Sequence, residues 1–245
     1  WPFSNSSGMS KTTSGSPMQD AGVHEFIFIT GYLGEKIQDY IKDTFPAINS
    51  IFVNQGERQG LGHAILLTKE AVQNDEVIIV LGDTICEYNI KEVLQSEISM
   101  LAVKKVDDPR NFGVAEVDEE GRIHKVVEKP QIPKSNMALV GIYKIKQTEM
   151  MFDCLEANFR EGVKNRDEYS LTDALQCMIE KGTSFQSFKV LNWFDCGNKD
   201  SLLESNATLL KKFGTHISPD HRFENVIIVE PVSIGKNCEI RNSII

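Results

Sequence analysis

One unbroken apolar run constrains the fold of this chain more than any other stretch. Within the segment DEVIIVLGD, residues 77–81 are all β-favouring, with no polar residue among them. Such a run is typical of a central strand in a parallel sheet, because that strand is buried on both faces. Gly82 ends the predicted strand, and Asp83 stands at its carboxyl end. Ligands of open α/β sheets bind beyond the carboxyl ends of the strands, so Asp83 is a candidate to hold a metal ion on a phosphate.

Helix-like and strand-like patterns alternate around this run. Upstream, the apolar periodicity predicts a strand at residues 25–30, a helix at 31–43, a strand at 51–53 and a helix at 64–72. Downstream, residues 113–117 and 123–129 flank a DEEG turn and predict a hairpin, and residues 138–144 predict a further strand. This order predicts an α/β protein with a Rossmann-like, doubly wound, mixed sheet.

Composition and charge narrow the classes of partner. A chain of 245 residues that is 41% hydrophobic can bury a sizeable core, as one large domain or as one domain with an appendage. Its net charge of −9 argues against nucleic acid and anionic membranes as partners. No apolar run approaches the roughly 20 residues of a membrane span. The five cysteines are scattered and odd in number, which is typical of a reducing compartment, so we expect a cytoplasmic protein.

Both ends of the sequence differ from the α/β pattern. Residues 1–18 are rich in Ser, Gly and Thr, and this composition predicts a loop or a disordered arm. Near the other end, Ile228, Ile234 and Ile240 recur every six residues. A six-residue apolar period predicts coils of a β-helix, with an ordinary hairpin as the alternative over so few repeats.

Several short motifs, in their order and spacing, resemble one enzyme family. They are QGERQGLGHA, LGD, FGVAE, EKPQIPKSN, VGIY, YSLTD and WFDCGNKDSLLES. The chain from about residue 21 to residue 212 is similar to the sugar-1-phosphate nucleotidylyltransferases, the family of glucose-1-phosphate thymidylyltransferase and UTP–glucose-1-phosphate uridylyltransferase. The resemblance implies a nucleotidyltransferase domain over residues 1–215, with a sugar-binding subdomain at about 113–188. It also implies that residues 224–245 begin a left-handed, hexapeptide-repeat β-helix.

The resemblance implies both a reaction and a metal site. The expected reaction transfers a nucleotidyl group from dTTP or UTP to a sugar 1-phosphate, giving an NDP-sugar and pyrophosphate. Because two anions must meet, a divalent cation and cationic side chains have to offset their charge. Asp83 and Asp195 are the matching carboxylates, and the resemblance implies that they hold Mg²⁺ on the phosphates. The ordinary alternatives are a helix N-cap for Asp83 and a turn residue for Asp195.

The loop QGERQGLG is the candidate reader of the nucleotide base. In the family, a Gln and a Gly five residues later contact the pyrimidine edge, and Gln55 and Gly60 have that spacing. A Gln amide can donate and accept at once, which suits a carbonyl beside an imide N–H. The alternative is a solvated loop in which the glycines only make the turn.

The EKP motif is the candidate site for the sugar phosphate. The resemblance implies that Glu128 accepts hydrogen bonds from sugar hydroxyls and that Lys129 contacts the phosphate; the alternative is a surface charge pair. Pro130 favours a fixed, non-helical bend at this point. Further residues expected to line the pocket or to contribute backbone groups are Gly113, Asn136, Leu139, Tyr143 and Glu168.

One motif of the family has no counterpart in this sequence. The family opens with a strand and a G-x-G-T-R-x-x-P loop that wraps the triphosphate, whereas residues 1–18 contain no such loop and no apolar run long enough for the strand. The sheet needs that strand beside the one ending at Thr30. We therefore expect residues outside the numbered chain, or another segment, to fill the slot.

Three alternatives for the function stay open at this point. The chain is part of a bifunctional enzyme with an acyltransferase β-helix, or a catalytically inactive subunit that binds nucleotide sugars, or a member that activates a different group. Assembly into a homo-oligomer is a further expectation, because a short β-helix stub buries its core only against neighbouring coils.

Overall fold

The computed structural model describes residues 17–245, so most of the predicted N-terminal loop, residues 1–18, lies outside the described residues. The helices of this part are α1 (Pro17–Asp20), α2 (Gly34–Thr44), α3 (Leu61–Leu66), α4 (Lys69–Val72), α5 (Ile90–Gln95), α6 (Thr148–Glu161), α7 (Leu171–Glu180) and α8 (Lys199–Phe213). The strands are β1 (Glu25–Thr30), β2 (Asn49–Asn54), β3 (Val77–Val80), β4 (Thr84–Glu87), β5 (Ser99–Lys105), β6 (Gly113–Val117), β7 (Arg122–Glu128), β8 (Met137–Ile145), β9 (Phe185–Lys189), β10 (Asn192–Asp195), β11 (His216–Ile217), β12 (His221–Ile227), β13 (Ser233–Ile234) and β14 (Cys238–Ile244). None of these helices is both long enough and apolar enough to cross a membrane.

The contacts between residues divide the described chain into two compact units. The larger unit comprises residues 17–82 and 86–193. The smaller unit comprises residues 83–85 and 194–245.

A six-stranded mixed sheet forms the centre of the larger unit, in the order β3-β8-β5-β9-β7-β6. Two strands pair with the same edge of β8: β3 pairs with residues 142–145, and β6 pairs with Met137 and Ala138. β5 and β9 are parallel, and β8 is antiparallel to its partners. β6 and β7 form the predicted hairpin. The mixed α/β character predicted from the sequence is therefore confirmed.

Among residues 17–245, the apolar run after Glu76 does not form a central parallel strand. As β3 it lies at one end of the sheet order and, among the described residues, pairs antiparallel with β8 only. Val77 and Ile79 pack against the larger core cluster, whereas Ile78 packs against a smaller cluster. The apolar run therefore correctly indicated packing on both sides of the strand. Its predicted position in the sheet was wrong, because cover by side chains does not require a strand on each edge.

β1 and β2 form a separate two-stranded parallel sheet. Their register runs from Glu25 opposite Asn49 to Thr30 opposite Asn54, and α2 lies between them in the chain. Within residues 17–245, β1 and β2 pair only with each other, and β3 pairs with a strand on one of its edges only. The slot expected beside β1 is thus not filled by a described strand.

The core of the larger unit lies on both faces of the sheet. Leu101 and Val103 of β5 belong to the larger cluster, whereas Ala102 between them belongs to the smaller one. α6 and α7 cover the face of the larger cluster, with fully buried side chains such as Phe152 and Leu175. This alternation is what a strand buried on both faces requires.

Two cysteines form a disulfide between α6 and α7. They are Cys154 and Cys177, whose Cα atoms are 5.9 Å apart, whereas Cys86, Cys196 and Cys238 are free thiols. The spacing of the cysteines did not predict this pair. The disulfide also differs from the free thiols expected of a protein in a reducing compartment. The bond ties α7, which contacts the candidate site described below, to the neighbouring helix.

The smaller unit ends in two parallel ladders. His216 of β11 faces Ser233 of β13, and His221 of β12 faces Cys238 of β14, so both ladders join residues at the same offset in sequence. The hairpin alternative is wrong, because hairpin strands are antiparallel. Ile234 is buried, as its place in the six-residue period predicts.

Candidate active site

Two carboxylates from distant parts of the sequence face one point in the smaller unit. The N–H of Cys196 donates to the backbone carbonyl of Asp83 at 2.8 Å, which holds the two segments side by side. A methyl group placed on Gly197 would lie 3.1 Å from Asp195 Oδ1 and 3.1 Å from Asp83 Oδ2. The pair predicted from the sequence therefore comes together around a space that the glycine leaves open.

The backbone around these carboxylates tests the two ordinary roles considered above, a helix N-cap for Asp83 and a turn residue for Asp195. Asp83 is followed directly by β4, so it is not the N-cap of a helix. Asp195 does have the role of a turn residue, because its Oδ1 accepts the N–H of Gly197 at 3.0 Å. Ser205 of α8 also donates to the Asp195 carbonyl at 3.1 Å. These contacts orient Asp195 and leave its carboxylate beside that of Asp83.

The donor set of this pair fits a magnesium ion. Mg²⁺ is usually held by one or two carboxylates, with waters and substrate phosphates as its other ligands. Among residues 17–245, no group of three or more His, Cys, Asp or Glu side chains forms a larger metal cluster. Asp83 and Asp195 would therefore hold the ion, and the phosphates and water would complete its coordination.

A second group of predicted residues meets around Glu128, at the end of β7. Its Oε2 accepts the hydroxyl of Thr172 at 2.6 Å, and Lys129 Nζ lies 3.6 Å from its Oε1. A methyl group on Gly113 would be 2.9 Å from Thr172 Oγ1, 3.0 Å from Leu139 Cδ1 and 3.3 Å from Glu128 Oε2. The structure thus brings four predicted residues of the sugar site together and adds Thr172 to them.

The backbone at Lys129 has the bend that the following Pro130 suggested. Lys129 has φ of 41°, in the left-handed region that costs a non-glycine residue about 1–3 kcal/mol. Two hydrogen bonds hold this conformation: the Lys129 N–H donates to Phe112 O at 3.0 Å, and Asn165 Nδ2 donates to Glu128 O at 3.2 Å. Hydrogen bonds to the backbone therefore fix the positions of Glu128 and Lys129, and an ordinary surface ion pair does not require such bonds.

The candidate base loop packs against the segment that precedes α7. Gly60 has φ of 99°, and a methyl group on it would lie only 2.6 Å from Tyr169 O and 2.9 Å from Glu168 Cβ. The N–H of Gly62 donates to the same Tyr169 carbonyl at 2.8 Å. Gln55, the other predicted base reader, contacts this loop by donating from Nε2 to Gly60 O at 3.1 Å. Glu168 therefore lies beside the base loop.

Some residues were placed differently from the expectation, and some were missed. Asn136 is exposed and precedes β8, and Tyr143 is 5% exposed in the larger core cluster. Sequence reasoning did not find Asn165 or the contact of Thr172 with Glu128. Nor did it find His63 as a partner of Gln55. Thr172 and His63 lie inside motifs that were recognised, but which partner each contacts depends on the folded chain.

Two neighbouring groups in and after β4 are kept neutral by burial. Burial raises the pKa of the Cys86 thiol to about 12, and burial also raises the pKa of the Tyr88 hydroxyl to about 12. A thiol with so high a pKa carries little thiolate near neutral pH and is a poor nucleophile. The Cys86 thiol is therefore not assigned a role as a nucleophile.

Comparison with known proteins identifies the class. Residues 2–212 match the family model described as nucleotidyl transferase, so the chain belongs to the nucleotidyl transferase family. The resemblance to sugar-1-phosphate nucleotidylyltransferases is thereby confirmed, together with the prediction of a transferase family of nucleotide-sugar biosynthesis, and relatives such as glucose-1-phosphate thymidylyltransferase are enzymes.

Two relatives illustrate the similarity in sequence. The bifunctional protein GlmU of Methanocaldococcus jannaschii is 37% identical over 216 residues, which are 86% of this chain and 49% of the relative. Glucose-1-phosphate thymidylyltransferase of Streptomyces antibioticus is 28% identical over 231 residues, which are 91% of this chain and 63% of the relative. The chain thus spans about half the length of the first relative and less than two thirds of the second.

Solved structures show the same fold. A UDP-glucose pyrophosphorylase in complex with UDP-glucose superposes with a TM-score of 0.67 at 23% identity, covering 80% of this chain and 84% of that chain. A UTP-bound enzyme of the same name from Acinetobacter baumannii has a TM-score of 0.60 at 20% identity, covering 80% of each chain. The mixed α/β fold of the nucleotidyl transferase type is therefore confirmed.

Proposed function

We propose that the protein transfers a nucleotidyl group from UTP or dTTP to a sugar 1-phosphate. An oxygen of the sugar phosphate attacks the α-phosphorus, the bond from that phosphorus to the bridging oxygen breaks, and pyrophosphate leaves. The observation that carries the proposal is the pairing of Asp83 with Asp195 around Gly197, in a chain of the nucleotidyl transferase family. Such a pair of carboxylates would hold a metal ion, which would offset the charge of two anionic substrates.

The proposed metal ion is Mg²⁺. When bound, it would neutralise charge on the phosphates and stabilise the charge that develops as pyrophosphate leaves. The protein's own part is to hold the two carboxylates at a fixed separation. The bond from Cys196 to Asp83 and the bond from Ser205 to Asp195 do this.

The remaining roles are assigned to the larger unit. Glu128, oriented by the hydroxyl of Thr172, would accept hydrogen bonds from the sugar. Lys129 would bind the phosphate of the sugar and offset the negative charge that builds up in the transition state. Gln55 would contact the base of the nucleotide, and the glycine at position 113 leaves room beside Glu128.

A direct experiment separates binding from chemistry. Asp83→Asn and Asp195→Asn should each remove most turnover while the fold survives, because a charge that acts mainly in the transition state supports kcat. The measurement is pyrophosphate release from UTP or dTTP with a panel of sugar 1-phosphates, with Mg²⁺ and then with excess EDTA.

Two outcomes of this experiment contradict different parts of the proposal. Near-parental rates in either variant, or rates indifferent to EDTA, remove the metal assignment. Tight binding of UTP in calorimetry without any pyrophosphate release points to the inactive binding subunit, the alternative raised by the lack of a G-x-G-T-R motif in residues 1–18.

We also propose that residues 224–245 form the start of a left-handed β-helix. The support is that two successive parallel ladders share one offset, as successive coils of a solenoid do. With a relative named a bifunctional protein, this favours a second candidate: a chain that is the nucleotidyl-transferring part of a two-function enzyme whose β-helix is an acyltransferase.

A further inference from the structure

Gln55, the candidate base reader, has both of its amide hydrogens directed at groups of the protein itself. Its Nε2 lies 3.1 Å from Gly60 O and 3.2 Å from Nδ1 of His63. A Gln amide nitrogen carries two hydrogens, and each can serve one acceptor. Contacts to Gly60 and His63 use both of them.

The carbonyl of Gly60 decides which way round the Gln55 amide lies. That oxygen accepts the N–H of Ala64 at 3.1 Å, as the first hydrogen bond of α3, and it has no proton to donate. If the amide were turned over, the oxygen of Gln55 would face the oxygen of Gly60, and the two would repel. The nitrogen must therefore face Gly60.

This orientation also decides the protonation of His63. With an N–H of Gln55 directed at its Nδ1, that ring nitrogen must be an acceptor. In this arrangement the ring proton is on Nε2. A proton on Nδ1 would place N–H against N–H and break the arrangement.

The His63 ring is itself held by aromatic neighbours. It stacks on Phe159, with ring centroids 5.8 Å apart and planes 20° apart, and Phe159 contacts Tyr169 at 4.7 Å. The ammonium of Lys164 lies 4.8 Å from the centre of the Tyr169 ring. The acceptor that His63 offers is therefore in a fixed position.

We propose that His63 is a specificity-determining positioning residue, which makes Gln55 a pure hydrogen-bond acceptor toward the base. Only Oε1 of Gln55 is left for the nucleotide, and it suits the imide N–H of uracil or thymine. In cytosine the same ring position carries a lone pair, which Oε1 repels. The proposal deepens the proposed function and depends on Gln55 contacting the base. It also replaces the expectation that this amide donates and accepts at once.

Two substitutions of His63 separate its acceptor from its ring. His63→Asn keeps an acceptor at the place of Nδ1 but loses the ring that stacks on Phe159. His63→Phe keeps a ring but has no acceptor. The measurement is the ratio of the dissociation constants of CTP and UTP, by calorimetry with excess Mg²⁺, beside a thermal melt of each variant.

The two variants should behave differently. We expect the ratio of the dissociation constants of CTP and UTP to be the same in the parent and in His63→Asn. In His63→Phe we expect this ratio to be about threefold to tenfold smaller, the effect of about one hydrogen bond. A His63→Phe variant that keeps the parental ratio overturns the proposal. So does a His63→Asn variant whose ratio falls as far as that of His63→Phe.

A spectroscopic measurement tests the same idea without any nucleotide. The carbon and nitrogen chemical shifts of the His63 ring in the free protein at about pH 8 report which nitrogen carries the proton. We expect the proton on Nε2, and a proton on Nδ1 overturns the proposal whatever the nucleotide results are. If the proton is on Nε2 but the parent does not distinguish UTP from CTP, the base-reading role of Gln55 in the proposed function fails, and the role of His63 fails with it.

Discussion

At the scale of single residues, the candidate active site depends on a glycine as much as on its carboxylates. Gly197 N–H orients Asp195, and the absence of a side chain at position 197 leaves open the point that Asp83 and Asp195 both face. Its φ is not in the left-handed region, so conformational freedom is not the reason for glycine here. Space for a ligand explains it better.

Gly197→Ala should therefore weaken the metal-dependent step without unfolding the protein. The added methyl group would sit 3.1 Å from both carboxylates, where it competes with the ion for space. We expect a large loss of pyrophosphate release and a higher Mg²⁺ concentration for half-maximal rate. Gly235→Ala is the matched control, since a methyl group there meets nothing within 4 Å. Equal rates in the two variants would contradict the role given to this space.

Thr172→Val should weaken the sugar side of the reaction. Valine keeps the shape of threonine but removes the hydroxyl that donates to Glu128 Oε2 at 2.6 Å. Glu128 is partly buried, and the loss of a hydrogen-bond partner from such a carboxylate costs about 1 kcal/mol or more, so we expect a higher KM for the sugar 1-phosphate and an unchanged Kd for UTP. Steady-state kinetics with the sugar 1-phosphate varied measures the KM, and calorimetry measures the Kd for UTP. A change confined to UTP would place Thr172 at the other end of the site.

The residues of the site differ in how far the sequence could predict them. Asp83, Asp195, Gln55 and Glu128 lie in motifs that resemble a known family, so their types and order were enough to select them. Thr172 lies in the recognised motif YSLTD, but that motif does not indicate which residue the threonine contacts. Its importance is its distance to Glu128, which depends on how α7 packs against β7.

At the scale of elements, the start of α7 joins two parts of the larger unit. Thr172, in its first turn, contacts Glu128. Just before the helix, Tyr169 accepts the N–H of Gly62 at 2.8 Å and donates to Gln59 O at 2.8 Å. One short segment thus supports both the candidate base loop and the candidate sugar site. A disturbance at this contact should reach both substrates.

Gly62→Ala tests that coupling. A methyl group on the buried Gly62 would lie 2.9 Å from Ser170 O and 3.0 Å from Tyr169 O, so the loop must move away from the helix. We expect a stability loss of about 1–3 kcal/mol in urea unfolding and weaker binding of both UTP and sugar 1-phosphate. Gly56→Ala, in the same loop with nothing within 4 Å, should leave all three unchanged. An effect on UTP alone would show that α7 does not couple the two sites.

The elements also show where sequence patterns stop being informative. The hairpin of β6 and β7 was predicted because its turn and both of its strands are local. β3 was misplaced because its apolar residues report only that side chains cover them. Its partner, β8, lies far along the chain, and no local pattern names a distant partner.

At the scale of the whole molecule, the C-terminal ladders leave apolar side chains exposed. Ile227 and Val229 are each 61% exposed, and Ile244 is 74% exposed. A solenoid coil buries such residues against a neighbouring coil. For the β-helix proposed above, these exposed side chains would suit packing against a second chain.

Removal of residues 226–245 should lower the tendency of the protein to associate. We expect the mass of the intact chain in light scattering to rise with concentration and that of the shortened chain to stay constant. Ile244→Lys keeps the ladder but places a charge on its edge, and it should behave like the shortened chain. An unchanged mass in both variants rules out this segment as the assembly element.

The long-range contact between Cys196 and Asp83 has a consequence for the protein during its synthesis. A growing chain emerges N-terminus first at about 5–20 residues per second, so Asp83 waits on the order of ten seconds for Asp195. Closing the intervening loop also costs entropy that only a largely folded chain can offset. The nascent protein therefore has no paired carboxylates, and the metal site proposed for them would form only when most of the molecule has folded.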